Sequence, residues 1–155
     1  MDELLNRKMP SSIEAEQSVL GSIFIDPQCT AEVVEVLKAS DFYMEQNRQI
    51  YETIYSMFSY SQAIDPVTVL DRMRVEGTYK EGVTREYVMQ LMEITPTAAN
   101  VREYARIVRD KAILRNVAQA ASEINEMVFD GGGNAPDVLE AAERKIYAIR
   151  NDRAS

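Results

Sequence analysis

The sequence contains no histidine. The commonest general base near neutral pH and the commonest zinc ligand are both missing, which removes most His-dependent catalysis and zinc chemistry from consideration. A single cysteine, Cys29, allows no intrachain disulfide and suits a reducing compartment. Long apolar runs are lacking too: none approaches the roughly 20 residues that span a bilayer. The opening MDELLNRKMP lacks the charged-then-apolar layout of a secretory signal, so the expectation is a soluble, cytoplasmic chain. Positive charge is scarce, with 17 Lys and Arg against 25 Asp and Glu and a net charge of -8. Such a chain repels phosphate backbones unless its basic residues gather on one face.

What is present is helical periodicity. At 155 residues and 46% hydrophobic content, the chain suffices for one domain with a core and an appendage, but not for two large domains. No stretch alternates with period two between hairpin turns, so the fold class is all-α. In PSSIEAEQSVLGSIFIDP, Ser11 and Glu14 have the S-x-x-E spacing of a capping box, ahead of an apolar stripe ended by Asp26 and Pro27. Thr30 caps a second helix to Lys38, and Gln46 to Tyr60 forms a third. Asp65 caps a fourth with Pro66 at its first position and Gly77 at its end, and Thr84 caps a fifth running to Pro96.

The longest pattern runs from Asn100 to Phe129, about 45 Å at 1.5 Å per residue. After DGGGNAP, a last helix extends to Arg150, with Asp137 and Glu140 near its start and Lys145 and Arg150 near its end, as the helix dipole favours. The expected organisation is a flexible tail over 1–9, a globular multi-helix head over 10–98 and a protruding, antiparallel two-helix hairpin over 99–150. A two-helix hairpin cannot bury both apolar stripes, so Val117, Ala121, Val128, Leu139 and Ile146 are candidate self-association residues.

No catalytic constellation emerges. Glu14 and Glu16 are two apart and do not face each other on a helix, which favours capping and solvation. Asp41, Asp65 and Asp71 fall on separate elements, which favours turn and cap duty over a carboxylate metal site. Gly131, Gly132 and Gly133 are followed by no Lys-Ser or Lys-Thr and read as a turn. Arg102, Arg106 and Arg109 can line one helix face, the basis of an alternative reading as a small helical DNA-binding regulator, but Glu103 and Asp110 lie among them.

Taken together, PSSIEAEQSVLGSIFIDP, DFYMEQNRQIY, AIDPVTVLDRM, ITPTAANVREYARIVRDKAILR and LEAAERKI resemble the N-terminal domain of bacterial replicative DNA helicases of the DnaB family. The match covers almost the whole chain in the family's order. The resemblance implies a domain that packs in pairs, forms a trimer-of-dimers collar on a hexameric ring, and meets the primase C-terminal domain and a helicase loader in the nucleoid-associated replisome. ATP and Mg2+ would serve a separate RecA-like C-terminal domain, to which 151–155 would begin the linker. Single-stranded DNA would pass through the intact ring, with little or no binding by this domain.

No G-x-x-x-x-G-K-[ST] occurs here, so this chain alone is expected to be no enzyme and to hold no cofactor. By motif position, the resemblance assigns primase contact to Glu14, Tyr87, Ala118 and Ile124. Two departures stand out: Asn47 occupies a position where family members often carry histidine, and the family's GG-x-x-YL becomes GVTREYV over 82–88.

Overall fold

Ser12 starts the first helix. Its hydroxyl accepts the Ala15 N–H at 3.2 Å, which opens α1 (Ile13–Ile25). The cap is therefore one residue later than the S-x-x-E spacing suggested, and Glu14 has no place in a capping box. A tight 3-10 turn, Pro27–Cys29, leads into α2 (Thr30–Val36). Thr30 is not the cap either: Cys29 takes that position, and the Thr30 hydroxyl donates back to the Pro27 carbonyl at 2.7 Å. Leu37 already turns extended, ending the helix short of Lys38 and placing its side chain in the core.

The computed structural model describes residues 8–154. Residues 1–7 of the expected tail, and Ser155, lie outside them. After a second 3-10 turn, Ala39–Asp41, come α3 (Glu45–Ser59) and α4 (Pro66–Glu76). Helix α4 matches its sequence signals: Asp65 and Thr68 cap each other, Pro66 is the first residue, and Gly77 closes it at φ +83°. In α5 (Thr84–Ile94), Val83 is the cap residue, and the buried Thr84 hydroxyl instead accepts the Lys80 N–H at 2.9 Å. Helix α6 spans Val101–Phe129 and α7 spans Ala135–Ala154, beyond the expected end at Arg150. These seven α-helices, with no strand among the described residues, make the fold all-α.

Contacts divide the chain into two units. In the unit Ser11–Ala112, Val19, Leu20 and Ile23 of α1 meet Ile50, Tyr51 and Ile54 of α3, Val69 and Met73 of α4, and Val88 and Leu91 of α5. Val101, Ala105 and Val108 close this core from the first half of α6, so the long helix serves both units. The Tyr51 hydroxyl donates to the Leu37 carbonyl at 2.9 Å, and its ring lies 4.7 Å from that of Phe42.

The other unit contains 8–10 and 113–154. Its chain turns at Gly131 (φ +66°), where the Asn134 side chain accepts the Asp137 N–H at 3.0 Å and starts α7. Lys145 then reaches Glu123 on α6 at 3.3 Å, so α7 runs back along α6. Arg115 donates to the Pro10 carbonyl at 2.8 Å, fixing the segment before α1 to this unit.

Among the described glycines Gly21 has the least room: an added Cβ would clash with Thr95 Oγ1 and lie 2.7 Å from the Leu91 carbonyl oxygen. Helix propensity alone favours alanine by about 1 kcal/mol, but this contact reverses the sign. Gly21→Ala is expected to lower the unfolding free energy by about 2–3 kcal/mol in urea denaturation.

Burial pushes the Tyr51 phenol far above its usual range, and Tyr55 and Asp41 act in the same direction. The unfolded chain ionises it near pH 10, so its contribution is complete below that pH and is lost as pH rises. Unfolding free energy measured from pH 9 to 11.5 should fall less steeply in Tyr51→Phe than in the unaltered chain.

Candidate functional site

Positions 16, 19, 20 and 23 lie on one face of α1, which carries the Glu16 side chain inward beside Val19, Leu20 and Ile23. Glu16 is only 1% exposed, contrary to the solvated role its charge suggested. The turn entering α3 explains the burial. Met44 sits at the cap position and provides no side-chain acceptor. Glu16 supplies one from another helix: Oε2 accepts the Tyr43 N–H at 2.8 Å, and Oε1 accepts the Met44 N–H at 3.3 Å and Asn47 Nδ2 at 3.0 Å.

A carboxylate offers only acceptors, so Asn47 must present its amide nitrogen to Glu16 and its oxygen to the opposite side. There the Tyr87 hydroxyl donates to Asn47 Oδ1 and accepts from Gln17 Nε2 at 3.3 Å. Hydrogen bonds thus pass from Glu16 on α1 to Asn47 on α3 and Tyr87 on α5, and return to Gln17 on α1. Burial pushes the Tyr87 phenol up, the Glu16 charge adds to this, and the bond from Gln17 opposes it. These bonds tie the Tyr87 side chain to both α1 and α3.

Two residues selected by separate motifs share this region. Exposed Glu14 stands three positions before Gln17 on α1, and half-buried Tyr87 touches Gln17 from α5. Ala118, exposed, and Ile124, half-buried, belong to the hairpin unit, roughly 120° apart around α6 at 3.6 residues per turn. Ala118 and Ala121 line a groove of about 780 Å³ with Lys8, Met9 and Pro10. Val117, Ala121, Val128, Leu139 and Ile146 are all exposed.

The sequence reading missed Glu16, Gln17 and Asn47, and also Tyr147, which is 66% exposed beside Ile146 on α7. The available signal was that Glu16 shares the spacing of the apolar stripe.

The remaining candidates have ordinary partners. Arg102 pairs with Glu32 at 3.3 Å, Arg106 with Glu103 at 2.6 Å, and Arg109 with Asp110 at 3.5 Å. Asp41 accepts the Lys38 N–H, Asp65 caps α4 and Asp71 is exposed. Among the described residues, no cluster of three His, Cys, Asp or Glu side chains could hold a metal ion, and no helix is long and apolar enough to cross a membrane. Burial raises the Cys29 thiol to about 11, with Asp26 and Glu32 adding, which leaves it unreactive.

Residues 8–110 match the family model of the DnaB-like helicase N terminal domain. The chain belongs to that family. It is 34% identical over 148 residues to the replicative DNA helicase DnaB of Leifsonia xyli subsp. xyli (strain CTCB07), covering 96% of this chain and 32% of that protein. Against the replicative DNA helicase DnaB of Geobacillus stearothermophilus, identity is 33% over 156 residues, covering 100% of this chain and 34% of that protein. The chain thus spans about a third of the length of these curated relatives. The crystal structure of the N-terminal domain of DnaB helicase from Mycobacterium tuberculosis is similar at a TM-score of 0.85 and 31% identity, over 91% of this chain and 99% of that one. The DnaB-like resemblance drawn from the motifs is therefore correct, as is the helical fold it implied.

Glu16 and Glu14 should respond very differently to substitution. Glu16→Ala strands buried donors and is expected to cost about 3 kcal/mol or more in urea denaturation. Glu14→Ala should stay within about 0.5 kcal/mol.

Proposed function

We propose that this chain is the N-terminal scaffold domain of an ATP-dependent replicative DNA helicase, acting in hexamer assembly and primase docking. Family membership supports the helicase reading. The observation that carries the scaffold role is the unpartnered apolar surface of the hairpin, where Val128, Leu139 and Ile146 are 55%, 61% and 46% exposed. Val117, Ala121 and Val128 fall within roughly 40° of one another around α6, and Leu139 and Ile146 within roughly 20° around α7. Such stripes suit helix-to-helix association between copies.

Glu14, Tyr87, Ala118 and Ile124 form the proposed primase contacts, with the primase C-terminal domain and a helicase loader as protein partners in the cytoplasm. ATP and Mg2+ serve the RecA-like part of the intact protein, and single-stranded DNA passes through its ring. The regulator reading is weaker, because Arg102, Arg106 and Arg109 each have a carboxylate within 3.5 Å, at an overall charge of -8.

Two measurements test the proposal. In sedimentation equilibrium, Leu139→Ser with Ile146→Ser should weaken self-association about tenfold or more, with the helical signal retained. In calorimetry, the cognate primase C-terminal domain should bind the chain or the intact hexamer, and no heat from either would sink the docking role.

A further inference from the structure

The proposed contact residue Tyr87 has little hydroxyl chemistry left to offer. Its one proton is donated to Asn47 Oδ1, and its oxygen accepts from Gln17 Nε2. The direction of the first bond is imposed from deeper in the head: both Glu16 oxygens accept hydrogen bonds, Oε1 from Asn47 Nδ2, so Asn47 turns its nitrogen toward Glu16 and leaves its oxygen for Tyr87. Asn47 and Glu16 are 0% and 1% exposed, and neither touches solvent enough to meet a partner. The half-buried Tyr87 side chain touches Gln17, which stands one helical turn after the exposed Glu14 on α1.

We propose that Glu16 and Asn47 are positioning residues for a docking face built on the Tyr87 ring, Gln17 and Glu14. This inference rests on the reading that Tyr87 contacts a protein partner. The partner meets the ring with an apolar side chain and Glu14 with a Lys or Arg, while the hydroxyl stays bonded inward. The buried circuit spares the complex the cost of immobilising the side chain, because Tyr87 is already held by α1 and α3 before the partner arrives. Holding one such side chain in advance corresponds to about fivefold in affinity.

The discriminating substitution is Asn47→Leu, which keeps the branched shape and removes both the donor to Glu16 and the acceptor for Tyr87. Asn47→His is its rescue: a neutral imidazole has one donor for Glu16 and one acceptor for Tyr87. The chain would carry 3-fluorotyrosine at position 87, read by fluorine NMR, with binding of the cognate primase C-terminal domain read by calorimetry. Asn47→Leu should shift the resonance and weaken binding about fivefold, and Asn47→His should restore both. Tyr87→Phe should weaken binding to a similar extent, and the double variant Asn47→Leu with Tyr87→Phe should be no weaker than either alone.

An unshifted resonance in Asn47→Leu overturns the proposal. So does an equal loss of affinity from Asn47→Leu in the Tyr87→Phe background, since Asn47 would then act by another route. If Asn47→Leu does not fold, Asn47→Ala makes the same comparison with a smaller side chain at the same buried position. No binding by the unaltered chain, despite the shift and its rescue, overturns the docking reading and leaves the positioning of Tyr87 supported.

Discussion

A carboxylate removed from water must collect donors or give up its charge, and Glu16 collects three without a cation among them. The consequence is geometric as much as energetic. Two of its donors are the backbone N–H groups of Tyr43 and Met44, so the side chain of α1 fixes where the chain enters α3. Phe42, one residue earlier, is thereby held in the core against Tyr51, whose hydroxyl in turn anchors Leu37. The connector between α2 and α3 has no regular structure beyond one 3-10 turn, and it takes its path from these side-chain bonds. Apolar packing alone is weakly directional. The acid supplies the direction that a core of valine, leucine and isoleucine lacks.

The long helix shows the opposite economy. Its first half contributes Val101, Ala105 and Val108 to the head core at 2% exposure or less. From Leu114 onward it leaves Leu114, Val117 and Val128 at 41–55% exposure. The same 3.6-residue periodicity runs through both, so the pattern specifies which residues share a face and leaves open what covers that face. This is why a mostly apolar stripe is compatible with two physical outcomes, a core in one unit and an unpartnered surface in the other.

Helix positions were legible in the sequence because the signals were local. Asp65, Pro66 and Gly77 each act within a few residues of themselves, and α4 follows them. The errors came where a hydroxyl had several local options. Ser11 and Ser12 are adjacent, and only the backbone path determines which one reaches the Ala15 N–H. Thr30 and Thr84 stand at helix starts but bond to the preceding turn from inside it. Glu16 was read as solvated because its donors lie 27 to 31 residues away, a separation that no periodicity records. The contact residues carried by resemblance landed on two units, and only the Glu14 and Tyr87 pair gained a shared environment, through Gln17.

Rigidity and exposure place different demands on the two proposed surfaces. The Tyr87 region is tied into three helices by directional bonds, which favours recognition by shape, with few rotamers to freeze when a partner docks. The hairpin carries Phe129, Leu139, Ile146 and Tyr147 at 46% exposure or more, a surface whose gain comes mainly from removing apolar area from water. Arg102, Arg106 and Arg109 of α6 compete with neither, because each is turned toward a carboxylate of its own chain. A net charge of -8 then penalises approach of a bare phosphate backbone to the chain as a whole, while leaving attraction for a partner that brings lysine or arginine. Charge thus favours the same class of partner as the packing: a protein that offers apolar and cationic side chains together.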